Sequence, residues 1–358
     1  RDDEAKEQRN TVKAAIFDGV GKISLADRPD PTVQQPTDAV VRVVLACVCG
    51  SDLWYYRGES PFTVGGPIGH EFIGVVEAAG PDVTTVKPGD FVIAPFAFSD
   101  GTCPDCRVGM TTACAAGGFF PSNGDGGQGE LVRVPLADGT LVTVPGQPAD
   151  YSPGVLASLL SLSDVMGTGY HAAVSAEVTK GDTVAVVGDG AVGLCAVIAA
   201  KQLGAERIVM LSRHAARQEL ARRFGATDIV ADRGEDAVAA VRELTGGVGV
   251  DAALECVGTD QSVQTALSVC RAGAMVGNVG LPHGVEISAG AIFGRNVGIH
   301  GGPAPVRAYL PTLLTDVLDG TINPGKVFDF ETDLSGIAEA YAAMDDRRAI
   351  KSLVRVGV

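Results

Sequence analysis

The hydrophobic pattern of the chain changes character part-way along. From Val12 to about Pro148, short β-rich runs occur at Ala39 to Leu45, Phe72 to Ala78, Phe91 to Ala94, Leu131 to Pro135 and Leu141 to Val144, separated by Gly, Pro and Asp. Closely spaced short strands bounded by turn residues predict a compact β-barrel-like domain. From about Gly154 the pattern becomes strand, helix, strand: Thr183 to Val187, Ala191 to Leu203, Arg207 to Leu211, Ala215 to Phe224 and Asp228 to Val230. Further segments follow at Ala237 to Leu244, Val250 to Cys256, Ser262 to Val269 and Gly273 to Val279. Apolar, β-branched strands alternating with helices predict a parallel doubly wound sheet. Beyond Pro303 the pattern is mixed, with a helix near Tyr309 to Leu318 and a last strand at Ser352 to Val356.

Length agrees with this division, because 358 residues exceed one ordinary core and suggest two domains. The net charge of −15 should repel a phosphate backbone over most of the surface, so nucleic acid and anionic membrane are unsuited as partners. An anionic ligand would have to be gathered locally, by helix N-termini and a few placed cations. The longest apolar stretch, Ala191 to Ala200, is far shorter than the roughly 20 residues a membrane helix needs. Residues 1–10 read as a solvated tail without the apolar region of a signal peptide. Eight cysteines are too few for a disulfide scaffold in so long a chain, and Cys103, Cys106 and Cys114 are spaced for metal. A reducing compartment, the cytoplasm, is the expectation.

The first strand of the second domain runs into Gly188-Asp189-Gly190-Ala191-Val192-Gly193, a G-x-G-x-x-G sequence that opens a helix. Its first glycine permits a tight turn, its second allows backbone to approach a pyrophosphate, and its third lets helix pack on strand. Sites for NAD place an acidic residue about 20 residues further on, at the ribose hydroxyls. Here the second strand ends in Ser212, Arg213 and His214, with Arg217 one helical turn later. Ser212 removes the repulsion a 2′-phosphate would meet, and Arg213 can fork onto that phosphate, which predicts NADP rather than NAD. The alternative is a pair of solvated helix-start charges.

In the β-rich half, Cys49-Gly50-Ser51-Asp52 and Gly69-His70-Glu71 bring a thiolate and an imidazole to separate turns, both suitable for zinc. Upstream of a dinucleotide fold, the pair predicts a Lewis-acid site with one position open for a substrate oxygen. Cys47, two residues before Cys49 and expected on the same strand face, is a rival ligand on chemistry alone.

In this order, C-G-S-D, G-H-E, the cysteine-rich lobe Asp100 to Cys114, L-S-D-x-x-x-T-G-Y-H at Leu162 to His171 and the glycine loop, the chain resembles the zinc-dependent medium-chain alcohol dehydrogenase family from about Val12 to Val358. The resemblance implies an α/β protein in which a GroES-like β-barrel catalytic domain, residues 1–154 and 304–358, is split around a Rossmann domain, residues 155–303. It implies Cys49 and His70 as the first two ligands of a catalytic zinc and Asp164 as the third, where relatives carry cysteine or aspartate; the alternative for Asp164 is a helix cap. Glu71 matches a carboxylate just behind the metal. Ser51 matches the hydroxyl that exchanges a proton with substrate oxygen, the alternative being a buried serine bonded only to backbone. Lys351 aligns with a basic residue that reaches cofactor phosphate in relatives, against an ordinary surface lysine.

Two departures from the family stand out. Trp54 occupies the place of a histidine that often passes the proton outward, so it either lines the pocket or packs. Asp100, Cys103, Cys106 and Cys114 stand where four cysteines hold a structural zinc; one carboxylate and three thiolates remain a sound set, the alternative being a lobe without metal. The resemblance implies hydride exchange between NADP(H) and an alcohol, aldehyde or ketone. The alternatives are an NAD-dependent polyol or formaldehyde-type dehydrogenase, a zinc-free quinone or enoyl reductase, and a non-catalytic cofactor-binding protein. Relatives are mainly homodimers or homotetramers, and Arg295 to His300 is the expected edge for such an assembly. His171 is expected near the cofactor without a catalytic part, and His214, His283 and His300 have no assigned role.

Overall fold

A computed structural model describes residues 11–122 and 124–357; the tail expected at residues 1–10 lies outside the described residues. The chain forms two compact units. The first takes residues up to Val108, Ala113–Tyr151 and Phe330 onward; the second takes Gly109–Thr112 and Ser152–Asp329.

In the first unit, strand Ala39–Cys47 is central because its faces are apolar almost throughout. It pairs antiparallel with Phe72–Ala79, with Leu131–Val134 and with Lys351–Arg355, which places Leu353 opposite Cys47. The last segment of the chain therefore completes the sheet that the first segments begin. A hairpin of Thr11–Gly19 and Lys22–Pro29 forms a second, smaller sheet with Gly66–Pro67. Its strands have no counterpart among the expected runs. The first of them buries consecutive residues, Ala14 to Phe17, rather than alternate ones, which blurs the period-2 signal.

The second unit is a six-stranded parallel sheet in the order Asp228–Val230, Arg207–Leu211, Thr183–Val187, Val250–Glu255, Cys270–Asn278 and Gly298–Gly301. This is the doubly wound order expected from the alternating pattern, with ligand-binding loops at the carboxyl ends of the strands. Helices Ala191–Gln202, Ala215–Phe224, Gly234–Leu244 and Asp260–Val269 follow their strands as expected. Two further helices, Pro153–Ser161 and Val165–Ser175, are buried on most of their surface and so carry no amphipathic stripe for the sequence to reveal.

The return to the first unit comes at Phe330, not at 304 as the resemblance implied. Helix Val306–Leu318 buries Leu310, Leu313 and Val317, and it packs on the two buried helices just named, which keeps it in the second unit. Among the described residues, no helix is long and apolar enough to cross a membrane.

Candidate active site

Strand Ala39–Cys47 ends before Cys49, and the turn into the short helix Asp52–Tyr56 carries the Cys49 side chain off the sheet. Asp52 closes that turn by accepting the Cys49 backbone N–H at 3.0 Å. His70 follows Gly69, whose φ is +92° and where a Cβ would lie 2.4 Å from the Gln128 side chain, so this approach requires glycine. Cys49, His70 and Glu71 are all buried, and each offers a ligand atom within 4.8 Å of the others.

Behind these three lies a layer of buried polar groups. Asp52 Oδ1 lies 3.2 Å from His70 Nδ1 without making a hydrogen bond to it, which leaves Nε2 as the ring nitrogen for a metal. Lys351 Nζ donates to Glu71 Oε1 at 2.6 Å and to the Val48 carbonyl at 3.1 Å, while Cys47 Sγ donates to Glu71 Oε2 at 3.2 Å. Burial pushes the Cys47 thiol well above its ordinary value, and Glu71 adds to the effect. Burial opposes the charge of Lys351, but the Glu71 carboxylate against it outweighs burial and holds the ammonium well above the usual lysine value. Gln128 Nε2 donates to the Cys47 carbonyl at 3.0 Å and to Asp52 Oδ2 at 3.2 Å, and Tyr341 OH donates to Gln128 Oε1 at 2.9 Å. On another side, the Phe96 ring meets His70 edge-on at 6.3 Å and stacks on Phe119 at 5.9 Å, giving an apolar wall. Ser51 precedes the short helix and its hydroxyl makes no capping bond. A soft thiol, an imidazole and a carboxylate, all sheltered from water, fit zinc.

In the second unit, Asp164 occupies the cap position of helix Val165–Ser175 without capping it through its side chain, which instead accepts from Thr168 Oγ1 at 2.7 Å. It is buried. His171, on the same helix, has Nδ1 2.8 Å from Tyr309 OH. Burial and the nearby His300 push its pKa down to about 4, so the ring is neutral near pH 7.

The lobe is a second set of donors in the first unit. Asp100, Cys103, Cys106 and Cys114 bring one ligand atom each within 4.8 Å of the others. Asp100 Oδ1 accepts the backbone N–H groups of Cys103 and Thr102 at 2.9 and 2.8 Å, and these with the Cys106 and Cys114 thiols hold its carboxyl down at about 2. Three thiols and a carboxylate so gathered fit a closed tetrahedral zinc site.

At the carboxyl end of Thr183–Val187, Gly188 has φ +114°, and a Cβ on Gly193 would lie 1.7 Å from the Gly188 carbonyl oxygen. Gly190 instead faces open space, and Ala191 and Val192 begin the helix behind it. The positive φ, the close packing and the open approach are the separate needs of a pyrophosphate-binding turn. Ser212 is buried and Arg213 exposed. Ser212, His214 and Arg217 all turn toward Asp189, inside the loop.

Residues 35–146 match the alcohol dehydrogenase GroES-like domain family, and residues 191–314 match the zinc-binding dehydrogenase family. An alcohol dehydrogenase of Cupriavidus necator is 32% identical over 94% of this chain and 96% of its own length. The chain belongs to the zinc-dependent medium-chain alcohol dehydrogenase family. Among solved members, the alcohol dehydrogenase TADH of Thermus sp. ATN1 superposes with a TM-score of 0.88 at 32% identity, covering 96% of this chain and all of its own. A Sinorhizobium meliloti zinc-binding dehydrogenase solved bound to NADP gives 0.81 at 26%, covering 97% and all of the two chains. The protein is therefore an oxidoreductase enzyme with a small-molecule substrate.

In this member of the family the expectation for Lys351 changes, and Cys47 and Arg217 gain definite partners. Cys47, the less favoured of the two thiols from the start, ends its strand with its thiol turned to Glu71. Lys351 is not placed at a cofactor phosphate: its ammonium is 1% exposed and lies against Glu71, where a phosphate could not follow without costly desolvation. Arg217 stays beside the loop, its guanidinium 3.2 Å from the Asp189 carboxylate. The structure also adds residues. Asp52 was visible only as a letter of C-G-S-D, and Gln128 and Tyr341 carry no local signal at all, since each reaches the site from a distant part of the chain.

Proposed function

We propose that this alcohol dehydrogenase exchanges a hydride between NADP(H) and a small alcohol or carbonyl compound at a zinc held by Cys49, His70 and Asp164, with Glu71 able to enter the set. The observation that carries the reading is the buried convergence of Cys49, His70 and Glu71 upon a ready-made layer of oriented donors. Asp164 is proposed from the family resemblance, and it is buried and caps nothing with its side chain. Zinc supplies Lewis acidity to a substrate oxygen, and the dinucleotide gives or takes the hydride. The residues do the rest. Asp52 sets a carboxylate beside His70 Nδ1, Lys351 and Cys47 hold Glu71 back from the ligand position, and Ser51 Oγ, free of any capping bond, passes a proton to or from the substrate oxygen. Phe96 and Phe119 exclude water on one side.

The loop glycines Gly188, Gly190 and Gly193 and the helix start at Ala191 and Val192 take the pyrophosphate. Ser212 and Arg213 favour the 2′-phosphate of NADP, in keeping with the NADP bound by the Sinorhizobium meliloti relative. We place a second zinc in the Asp100, Cys103, Cys106 and Cys114 lobe. The cytoplasm suits cysteines kept reduced as metal ligands. A second copy is expected at strand Gly298–Gly301, the last of its sheet, beside Phe293, which is 85% exposed. Light scattering at the mass of one chain would remove that dimer or tetramer.

Cys49→Ser and His70→Ala test the zinc. Each should lower kcat/KM for NADPH-dependent carbonyl reduction by about a thousandfold, the several kcal/mol a Lewis acid contributes. Full turnover in either variant would refute the site.

A further inference from the structure

Asp189, between the first two glycines of the loop, has no part in the function described so far. Ser212 Oγ donates to its Oδ2 at 2.7 Å, His214 Nδ1 lies 2.8 Å from the same oxygen, and Arg217 Nη1 lies 3.2 Å from Oδ1. Arg217 also reaches the Asp189 carbonyl at 3.4 Å. Burial opposes the charge of this carboxyl, yet hydrogen bonds from His214 and Ser212 and the charge of Arg217 together hold it below the ordinary aspartate value.

Two consequences bear on the ribose. A site for NAD carries a carboxylate at the end of the second strand. Ser212 has replaced it here, but Asp189 sets another carboxylate one hydrogen bond away from that place. The cations are also unequal. Arg217 is paired, with its side chain 14% exposed, and His214 is bound to the same carboxylate, whereas Arg213 is exposed and makes no ion pair among the described residues. With Asp189 counted against Arg217, the local charge facing a 2′-phosphate is about one unit rather than two.

We propose that Asp189 is a specificity-determining residue that restrains discrimination between the 2′-phosphorylated and unphosphorylated dinucleotides. It does so by neutralising Arg217 and by keeping an acceptor near the ribose hydroxyls. This rests on the loop being the dinucleotide site. A unit charge roughly 6 Å from a phosphate, at intermediate dielectric, changes binding by about tenfold.

The test is calorimetric titration of the full chain with NADP+ and with NAD+, in wild type, Asp189→Asn, Asp189→Ser, Arg217→Gln and the double variant Asp189→Asn with Arg217→Gln. The ratio of Kd for NAD+ to Kd for NADP+ should rise about tenfold in Asp189→Asn and fall back when Arg217→Gln is added. A ratio within about twofold of wild type, or a lower one, in both Asp189 variants would overturn the proposal. So would loss of both dinucleotides from both variants at an unchanged unfolding temperature, which would make Asp189 a prop of the loop. If wild type binds NAD+ as tightly as NADP+, the cofactor preference proposed above fails, while the shift on substitution still decides the part of Asp189.

Discussion

The two donor clusters of the first unit are built in opposite ways. The lobe draws Asp100, Cys103, Cys106 and Cys114 from one short stretch, and Asp100, Cys103 and Cys114 are only partly buried. Its carboxylate is satisfied by neighbouring backbone N–H groups, so little beyond the loop is needed to form it. The Cys49, His70 and Glu71 cluster comes from two separated segments and is buried throughout. There, water cannot satisfy Glu71 or Asp52, and protein must: Lys351 and Cys47 for the first, Gln128 and the Cys49 backbone for the second. A local cluster can be lost with local consequences. A buried one is tied to the core of its unit.

The hardest test of this contrast is Lys351→Met. It leaves Glu71 buried without its cation, and the whole protein should lose about 3–5 kcal/mol in denaturant unfolding. A loss below about 1 kcal/mol would mean the buried charges are not interdependent. Next comes Asp52→Asn, which disturbs the carboxylate beside His70 Nδ1. Competition with a chelator should show metal affinity at the buried cluster lowered by roughly ten to a hundredfold, with the lobe metal retained. Equal weakening at both clusters would erase the distinction between them. The smallest effect on catalysis is expected from Cys106→Ser. Elemental analysis should show one zinc per chain instead of two, while kcat/KM stays within about threefold of wild type, since one broken donor in a peripheral lobe leaves the buried cluster its own support.

The same contrast explains what could be read in advance. The strands and helices that alternate along the second unit, from Thr183 to Val269, were legible to within three residues because each has its own apolar period, even though Thr183–Val187 pairs with both Arg207–Leu211 and Val250–Glu255. Helices Pro153–Ser161 and Val165–Ser175 were not, since a helix buried on most sides has no polar face. Among site residues, the lobe and the loop glycines depend on spacing within a few positions and were visible as patterns. The environment of Lys351 was not, because strand Lys351–Arg355 meets Ala39–Cys47 only after the whole second unit has been passed.

By itself, the sequence determined which residues can ligate metal, where the dinucleotide loop lies and that two kinds of domain are present, all properties of residue type and short-range period. Tertiary structure decided which charges those residues face. It turned Cys47 away from the metal position, placed Lys351 behind Glu71 and set Asp189 against Ser212, His214 and Arg217. The physical reason is that a buried charge is settled by whichever partner comes within a few ångströms of it, and sequence separation does not limit that distance.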